Sequence, residues 1–100
     1  MEKNIDIETI LSVINYYNIT DDYNNILDLY NFMFQKELSM IEYFNLYESG
    51  KKHILSLYPE LLNISFDPYN IDKYVNKQKE LFGEKITIST INTKSKSLKK

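Results

Sequence analysis

Residues 21–48 read DDYNNILDLYNFMFQKELSMIEYFNLYE, and this stretch decides the predicted fold. Apolar side chains recur in it at steps of three and four, the spacing that places side chains on one face of a helix. They are Tyr23, Ile26, Leu27, Tyr30, Met33, Phe34, Leu38, Ile41 and Phe44. No proline or glycine interrupts the stretch, so we predict one amphipathic helix of roughly 42 Å. Such a rod must break, protrude or pair with a second copy, because a small domain is only ~30 Å wide.

A shorter helix is predicted before this stretch and another after it. Residues 6–17 have one apolar face, and Thr20 is a suitable N-cap for the long helix. The long helix is expected to end near Ser49 and Gly50, because glycine readily adopts the left-handed conformation that closes helices. A third helix from residue 51 should kink or restart at Pro59, which has no backbone N–H to donate.

The clearest boundaries are those of a fourth helix. Asp67 followed by Pro68 is typical of an N-cap and a first helical residue, and Gly83 is typical of the position just after a helix. Apolar and polar residues then alternate over residues 85–91, which predicts an extended strand. Because a lone strand leaves its backbone groups unpaired, its partner is expected in residues 93–98, in residues 3–5 or in a second chain.

The predicted fold class is mainly α. It has four or five helices including one long central helix, with a short C-terminal β element that is a single strand or a small hairpin. Residues 1–91 are predicted to form a single helical domain, since 100 residues with 43% hydrophobic side chains suffice for one modest core. Residues 92–100 are predicted to be a basic polar tail or the second arm of the hairpin.

Composition limits the chemistry that the chain can perform. It contains no Ala, Arg, Cys or Trp but much Asn, Ile, Lys and Tyr, which suggests an AT-rich genome in which lysine is partly background. The net charge of −2 divides into −7 for residues 1–50 (two lysines, nine acids), 0 for residues 51–84 (five of each) and +5 for residues 85–100 (five lysines). Two interpretations are open: a solvated acidic face with a soluble tail, or two ends that bind different partners.

No enzyme motif is present. His53 is the only histidine, and Gly50 and Gly83 are the only glycines, which excludes a phosphate-cradling glycine-rich loop. We interpret His53 as an ordinary surface or helix-end residue, and we expect no catalytic residue, no cofactor and no metal. The chain also lacks an apolar run long enough for a signal peptide or a membrane span. We therefore expect a cytoplasmic protein without a membrane partner.

The first functional hypothesis is a non-catalytic protein-interaction module of the small inhibitor, immunity, antitoxin or mobile-element accessory type, such as a phage or plasmid protein. Several aromatic residues lie off the predicted stripe of their helices and would form an exposed patch on an acidic helical surface, where tyrosine and phenylalanine are enriched at interfaces. The partner would be another protein, including a second copy in a homodimer. The residues expected to bind it are Phe32, Tyr43, Tyr47, Glu42 and Asp28.

The alternative hypothesis is a small DNA-binding protein of the winged helix-turn-helix type. Residues 37–48 and 51–62 would be its two helices, with the turn at Ser49 and Gly50 and a basic wing in residues 85–98. Against it stand an acidic pI of about 5.3 and the absence of arginine. The residues expected to contact nucleic acid are Lys51, Lys52, Lys94, Lys96, Lys99 and Lys100.

Overall fold

The computed structural model describes residues 1–20 and 22–91. Within them, four α-helices and a 3₁₀ helix lie between two short strands that pair with each other. The mainly α class is therefore confirmed, but the strands flank the helices at both ends of the described chain. In chain order the elements are β1 (Glu2–Asp6), α1 (Ile7–Asn15), α2 (Asn24–Phe34), α3 (Met40–Leu57), a 3₁₀ helix (Pro59–Asn63), α4 (Ile71–Phe82) and β2 (Lys85–Ser89).

The central element of the core is α1. Seven of its nine residues are buried, because it contacts β1, α2, α3 and α4. A helix that is surrounded in this way should be apolar on nearly all sides. Accordingly, the run from Thr9 to Ile14 contains only two polar side chains, and both are small hydroxyls. One of these, Ser12, accepts hydrogen bonds through Oγ from the backbone N–H groups of Ile19 and Thr20, at 2.9 and 3.0 Å. The chain after α1 is thereby anchored to the core.

The prediction of a single long helix over residues 21–48 is wrong. The stretch breaks after Phe34, where Gln35 adopts the left-handed conformation at φ 57°. Asn31 stabilises the break, since its side-chain Oδ1 accepts a 2.9 Å hydrogen bond from the backbone N–H of Leu38. Ser39 then starts α3 through a capping box with Glu42, in which each side chain accepts a backbone N–H of the other residue.

The break also changes which face of α3 is buried. Tyr43, Gly50 and Ile54 face the core, whereas Ile41 and Phe44 are 73% and 63% exposed. The predicted stripe assumed one helical phase through the whole stretch, and the non-helical residues between α2 and α3 reset that phase. The assignment of Ile41 and Phe44 to the buried face is therefore wrong.

Gly50 lies inside α3 and does not end it. The ring of Tyr30 passes so close that a Cβ built on Gly50 would lie 2.4 Å from Tyr30 Cε2 and 2.7 Å from Cζ. Glycine is needed here for close approach, and α3 continues to Leu57. The predicted restart at Pro59 is confirmed, because Pro59 begins the 3₁₀ helix.

The helix boundaries show where local signals were sufficient. The end of α4 before Gly83, at φ 86°, is confirmed. The predicted start of α4 is wrong by three residues. Asp67 accepts the backbone N–H of Tyr69 in a turn, whereas Asn70 caps α4 by accepting the backbone N–H of Lys73.

The start of α2 also differs from prediction. It begins at Asn24, and Thr20 is a buried loop residue. Its Oγ1 accepts a hydrogen bond from the side-chain amide of Asn25 at 3.0 Å.

The two strands close the core from one side. β1 and β2 are antiparallel, with Asn4 opposite Thr87 and Ile5 opposite Ile86. Ile5, Ile86 and Ile88 are buried against the helices. Of the three expected partners for the C-terminal strand, the one in residues 3–5 is correct. The predicted tail or hairpin arm over residues 92–100 lies outside the described residues.

Candidate functional site

A groove lies where the C-terminal end of α1 meets α2 and α3. Its volume is about 510 Å³, within the range of ligand-binding clefts. Ten of the described residues line it, of which six are aromatic and one carries a charged group, a carboxylate. We call it the tyrosine groove, and it is lined by Ser12, Tyr16, Tyr17, Asn18, Tyr23, Ile26, Tyr43, Phe44, Tyr47 and Glu48.

Stacked rings connect this groove to the core. Tyr16 stacks on Tyr47 with ring centroids 5.4 Å apart, Tyr47 on Tyr30 at 5.5 Å, and Tyr30 on Phe34 at 6.2 Å. The planes of each pair are within 22° of parallel. Tyr30 is fully buried, whereas Tyr16 is 59% exposed. The column therefore runs from the interior to the surface and holds the ring of Tyr47 in place.

Tyr43 packs edge-on against this column. Its ring makes T-shaped contacts with Tyr30 at 5.0 Å, Tyr47 at 5.7 Å and Tyr23 at 6.2 Å, a geometry that aromatic pairs favour. The hydroxyl of Tyr23 donates a hydrogen bond to that of Tyr43 at 3.1 Å. With 2% of its surface exposed, Tyr43 belongs to the core, and the interpretation that it lies away from the buried face is wrong.

The buried phenol groups are held neutral. Tyr30 Oη donates to the backbone carbonyl of Tyr47 at 2.6 Å, and Tyr47 Oη donates to that of Val13 at 2.7 Å. Burial raises the pKa of Tyr47 to about 12 and raises the pKa values of Tyr30 and Tyr43 further still. At neutral pH the tyrosines contribute ring faces and hydrogen bonds to the groove, and Glu48 contributes its negative charge.

Tyr16 forms the outer edge of the groove because of the backbone around it. It follows α1 in the left-handed conformation at φ 53°, so its side chain leaves the helix axis and reaches across to α3. There its hydroxyl hydrogen-bonds to the carboxylate of Glu48, and the ammonium group of Lys51 lies 4.1 Å from its ring centroid. These contacts compensate for a conformation that costs a non-glycine residue roughly 1–2 kcal/mol.

The five residues predicted to bind a partner do not share one surface. Tyr43 and Tyr47 line the tyrosine groove. Phe32 is half-buried on α2 beneath the ammonium group of Lys3, 5.9 Å from its ring centroid, and Asp28 lines a separate cavity beside β1. Glu42 accepts a 2.7 Å hydrogen bond from Lys36 and belongs to the cap of α3.

Over residues 37–62, all of which the structure describes, the predicted helix-turn-helix is absent. Because α3 runs unbroken from Met40 to Leu57, Lys51 and Lys52 lie in the middle of one helix and do not start a recognition helix. The strand assigned to the wing, β2, pairs with β1. The remaining predicted contacts, Lys94, Lys96, Lys99 and Lys100, lie outside the described residues.

His53 has a structural contact. Its Nε2 lies 2.7 Å from the backbone carbonyl oxygen of Ser89, which can only accept, so this nitrogen donates and links α3 to β2. Within residues 1–20 and 22–91, no group of three or more histidine, aspartate or glutamate side chains could hold a metal ion.

Sequence reasoning missed Tyr23, Phe44 and Glu48 as groove residues. The predicted stripe places Tyr23 and Phe44 on the buried face, and Glu48 is the last residue of the predicted long helix. For Phe44 and Glu48 the available signal is Ser39-x-x-Glu42, a capping-box pattern that marks a helix start at Met40 and so divides the long stretch. Within α3, Phe44 lies three residues before Tyr47 and four before Glu48, so these three side chains share one face of the helix.

Comparison with known proteins leaves the site to be interpreted from its own geometry. Among the described residues, no helix is both long enough and apolar enough to cross a membrane. No protein-family model, curated protein or solved structure matches this chain.

Proposed function

We propose that this chain is a non-catalytic protein-interaction module that binds a partner protein through the tyrosine groove. The observation that carries the proposal is the exposure of its rings. Tyr16, Tyr17, Tyr23 and Phe44 line the groove and are 59%, 44%, 40% and 63% exposed. At about 200 Å² per aromatic side chain, they present roughly 400 Å² to solvent in one place. This is the size of the largest apolar patch on a typical monomeric protein, about 300–600 Å², and such a patch is often functional.

The patch has about the area of the apolar part of one partner's side of a protein interface. A standard interface buries about 800 Å² on each partner, and about 57% of that area is apolar, which is roughly 450 Å². The four rings supply most of this area. Ile41, three residues before Phe44 and 73% exposed, extends the patch along α3. Tyrosine and phenylalanine are also the side chains that interface cores favour.

The charge around the groove favours a partner that presents a basic segment. Glu48 is the charged lining residue, and residues 1–50 carry a net charge of −7. A second copy docked through the same face would bring the two Glu48 side chains together, and like charges at an interface disfavour association. We therefore propose a different protein as the occupant, and homodimer formation is a competing outcome of the test.

The test is selection of a random dodecapeptide library on the immobilised protein, followed by affinity measurement with synthetic copies of the enriched peptides. Phe44→Ser should abolish binding, whereas Leu81→Ser should not. Leu81 is a matched control, because it is also 63% exposed but lies on α4, outside the groove lining. Both variants should stay within ~0.5 kcal/mol of wild-type stability.

Two outcomes would overturn the proposal. Enriched peptides that bind Phe44→Ser as tightly as the parent would place the interaction elsewhere. A sedimentation mass of twice 12.0 kDa that returns to 12.0 kDa in Phe44→Ser would make a second copy the occupant.

A further inference from the structure

We infer that the tyrosine groove is a receptor for one cationic side chain, lysine or arginine, of the partner protein, and that Glu48 selects it. The inference rests on the proposed function and specifies the partner's anchoring group. Among the described residues, six aromatic side chains and one acid, Glu48, line the groove, and no lysine does. A pocket built from ring faces and one carboxylate matches an ammonium or guanidinium group, because aromatic faces and carboxylates both attract cations.

The structure itself shows that a ring of this groove accepts a cation. Lys51 places its ammonium group 4.1 Å from the ring centroid of Tyr16, well inside the ~6 Å range of cation–π contacts. Lys51 follows Glu48 by three residues on α3, yet the two ion pairs among the described residues are Lys36–Glu42 and Lys85–Asp6. Lys51 therefore contacts the ring, and no described lysine forms an ion pair with the Glu48 carboxylate.

Glu48 has capacity for another ligand. Its side chain is exposed. Within the described chain, it accepts one hydrogen bond, from the Tyr16 hydroxyl. An ionised carboxylate offers about four lone-pair sites, so one hydrogen bond leaves most of them open. An incoming cation can bind Glu48 with its charged end while its methylene stem packs against ring faces such as those of Tyr23 and Phe44.

The groove should discriminate by charge more than by size. A neutral side chain of the same length gains the apolar contact but loses the interaction with Glu48, and an acidic one is repelled by Glu48. The tyrosines do not change this balance near neutral pH, since burial keeps the pKa of Tyr47 near 12 and that of Tyr43 higher.

The experiment is an NMR titration of protein carrying ¹³C-labelled tyrosine rings. The probes are the N-acetyl methylamides of lysine, arginine, norleucine and glutamate; norleucine has a lysine-like stem without the ammonium group. Lysine and arginine probes should produce saturable shifts of the Tyr23 and Tyr43 ring signals. Norleucine should bind roughly fivefold more weakly, and glutamate should produce no saturable shift.

Glu48→Gln is the decisive variant, because glutamine keeps an acceptor for the Tyr16 hydroxyl and removes only the charge. It should reduce binding of the lysine probe to the level of norleucine, whereas Glu80→Gln, an exposed acid on α4, should leave it unchanged. Equal binding of lysine and norleucine, an unaffected Glu48→Gln variant, or no saturable shift from lysine would each overturn the inference. In those cases, peptides that still need Phe44 would leave the proposed function standing, and their absence would remove both.

Discussion

Replacing Gly50 with alanine tests the packing on which the tyrosine groove depends. The new Cβ would lie 2.4 Å from Tyr30 Cε2 and 2.9 Å from its hydroxyl oxygen. Tyr30 cannot move aside easily, because it is fully buried, stacked between Phe34 and Tyr47, and tied by its hydroxyl to the Tyr47 carbonyl. The substitution must therefore displace either the ring or α3.

The expected change in the free energy of unfolding is the difference between opposing effects. Alanine in a helix interior is favoured over glycine by about 1 kcal/mol. Overpacking a rigid core costs about 1–3 kcal/mol, and the Tyr30 hydrogen bond contributes about 1 kcal/mol more if it is lost. Gly50→Ala should therefore destabilise the protein by about 2 kcal/mol, which corresponds to a fall in Tm of roughly 10 °C.

Urea denaturation followed by circular dichroism measures this change. Ser49→Ala is the neighbouring control, since Ser49 is exposed on the same helix and its substitution should change stability by less than ~0.5 kcal/mol. In a Tyr30→Leu background the steric conflict is removed, so Gly50→Ala should become neutral or stabilising by up to ~1 kcal/mol. A Gly50→Ala protein more stable than wild type would refute the close packing of Tyr30 on α3.

Two further predictions concern pH. Burial raises the pKa values of Tyr30 and Tyr43 in the folded state above the ordinary value of 10.0. Their contribution to the free energy of unfolding is therefore complete below pH 10.0. Above it, the free energy of unfolding should fall as the pH rises, by about 1.4 kcal/mol per pH unit for each tyrosine that stays protonated in the folded state; urea titrations with no fall by pH ~11 would contradict this. In acid, hydrogen bonds from Lys36 and from the Ser39 backbone lower the pKa of Glu42 to about 2. The stability difference between wild type and Glu42→Gln should persist above pH 4.5 and shrink toward pH 2 in guanidinium titrations, and a constant difference would exclude Glu42 as its source.

Local sequence signals predicted the fold where one residue type decides the backbone. Gly83 ended α4 because few other residues adopt its φ of 86° readily, and Pro59 forced a restart because it cannot donate a hydrogen bond. Asp67 failed as a helix start because aspartate accepts a backbone N–H equally well in an isolated turn. The sequence pattern does not distinguish a cap from such a turn without the tertiary contacts of α4.

The candidate site lies in the part of the fold that was predicted incorrectly. No glycine or asparagine signals the left-handed conformations of Gln35 and Tyr16, so the reach of Tyr16 to α3 was not predictable, and the break after α2 was indicated by the capping-box pattern of Ser39 and Glu42 alone. Abundant tyrosine did indicate that aromatic side chains would matter. Their division into core rings such as Tyr43 and exposed rings such as Phe44 required the phase of α3.

The pairing of β1 with β2 has a consequence for how the chain folds. Residues such as Asn4 and Thr87 that meet across the sheet are separated by most of the described sequence. Closing a loop of about 80 residues costs roughly 2.7 kcal/mol more entropy than closing a four-residue hairpin. The sheet should therefore form late, after the helices have collapsed around α1, and during synthesis the N-terminal strand must wait unpaired until Lys85–Ser89 has left the ribosome.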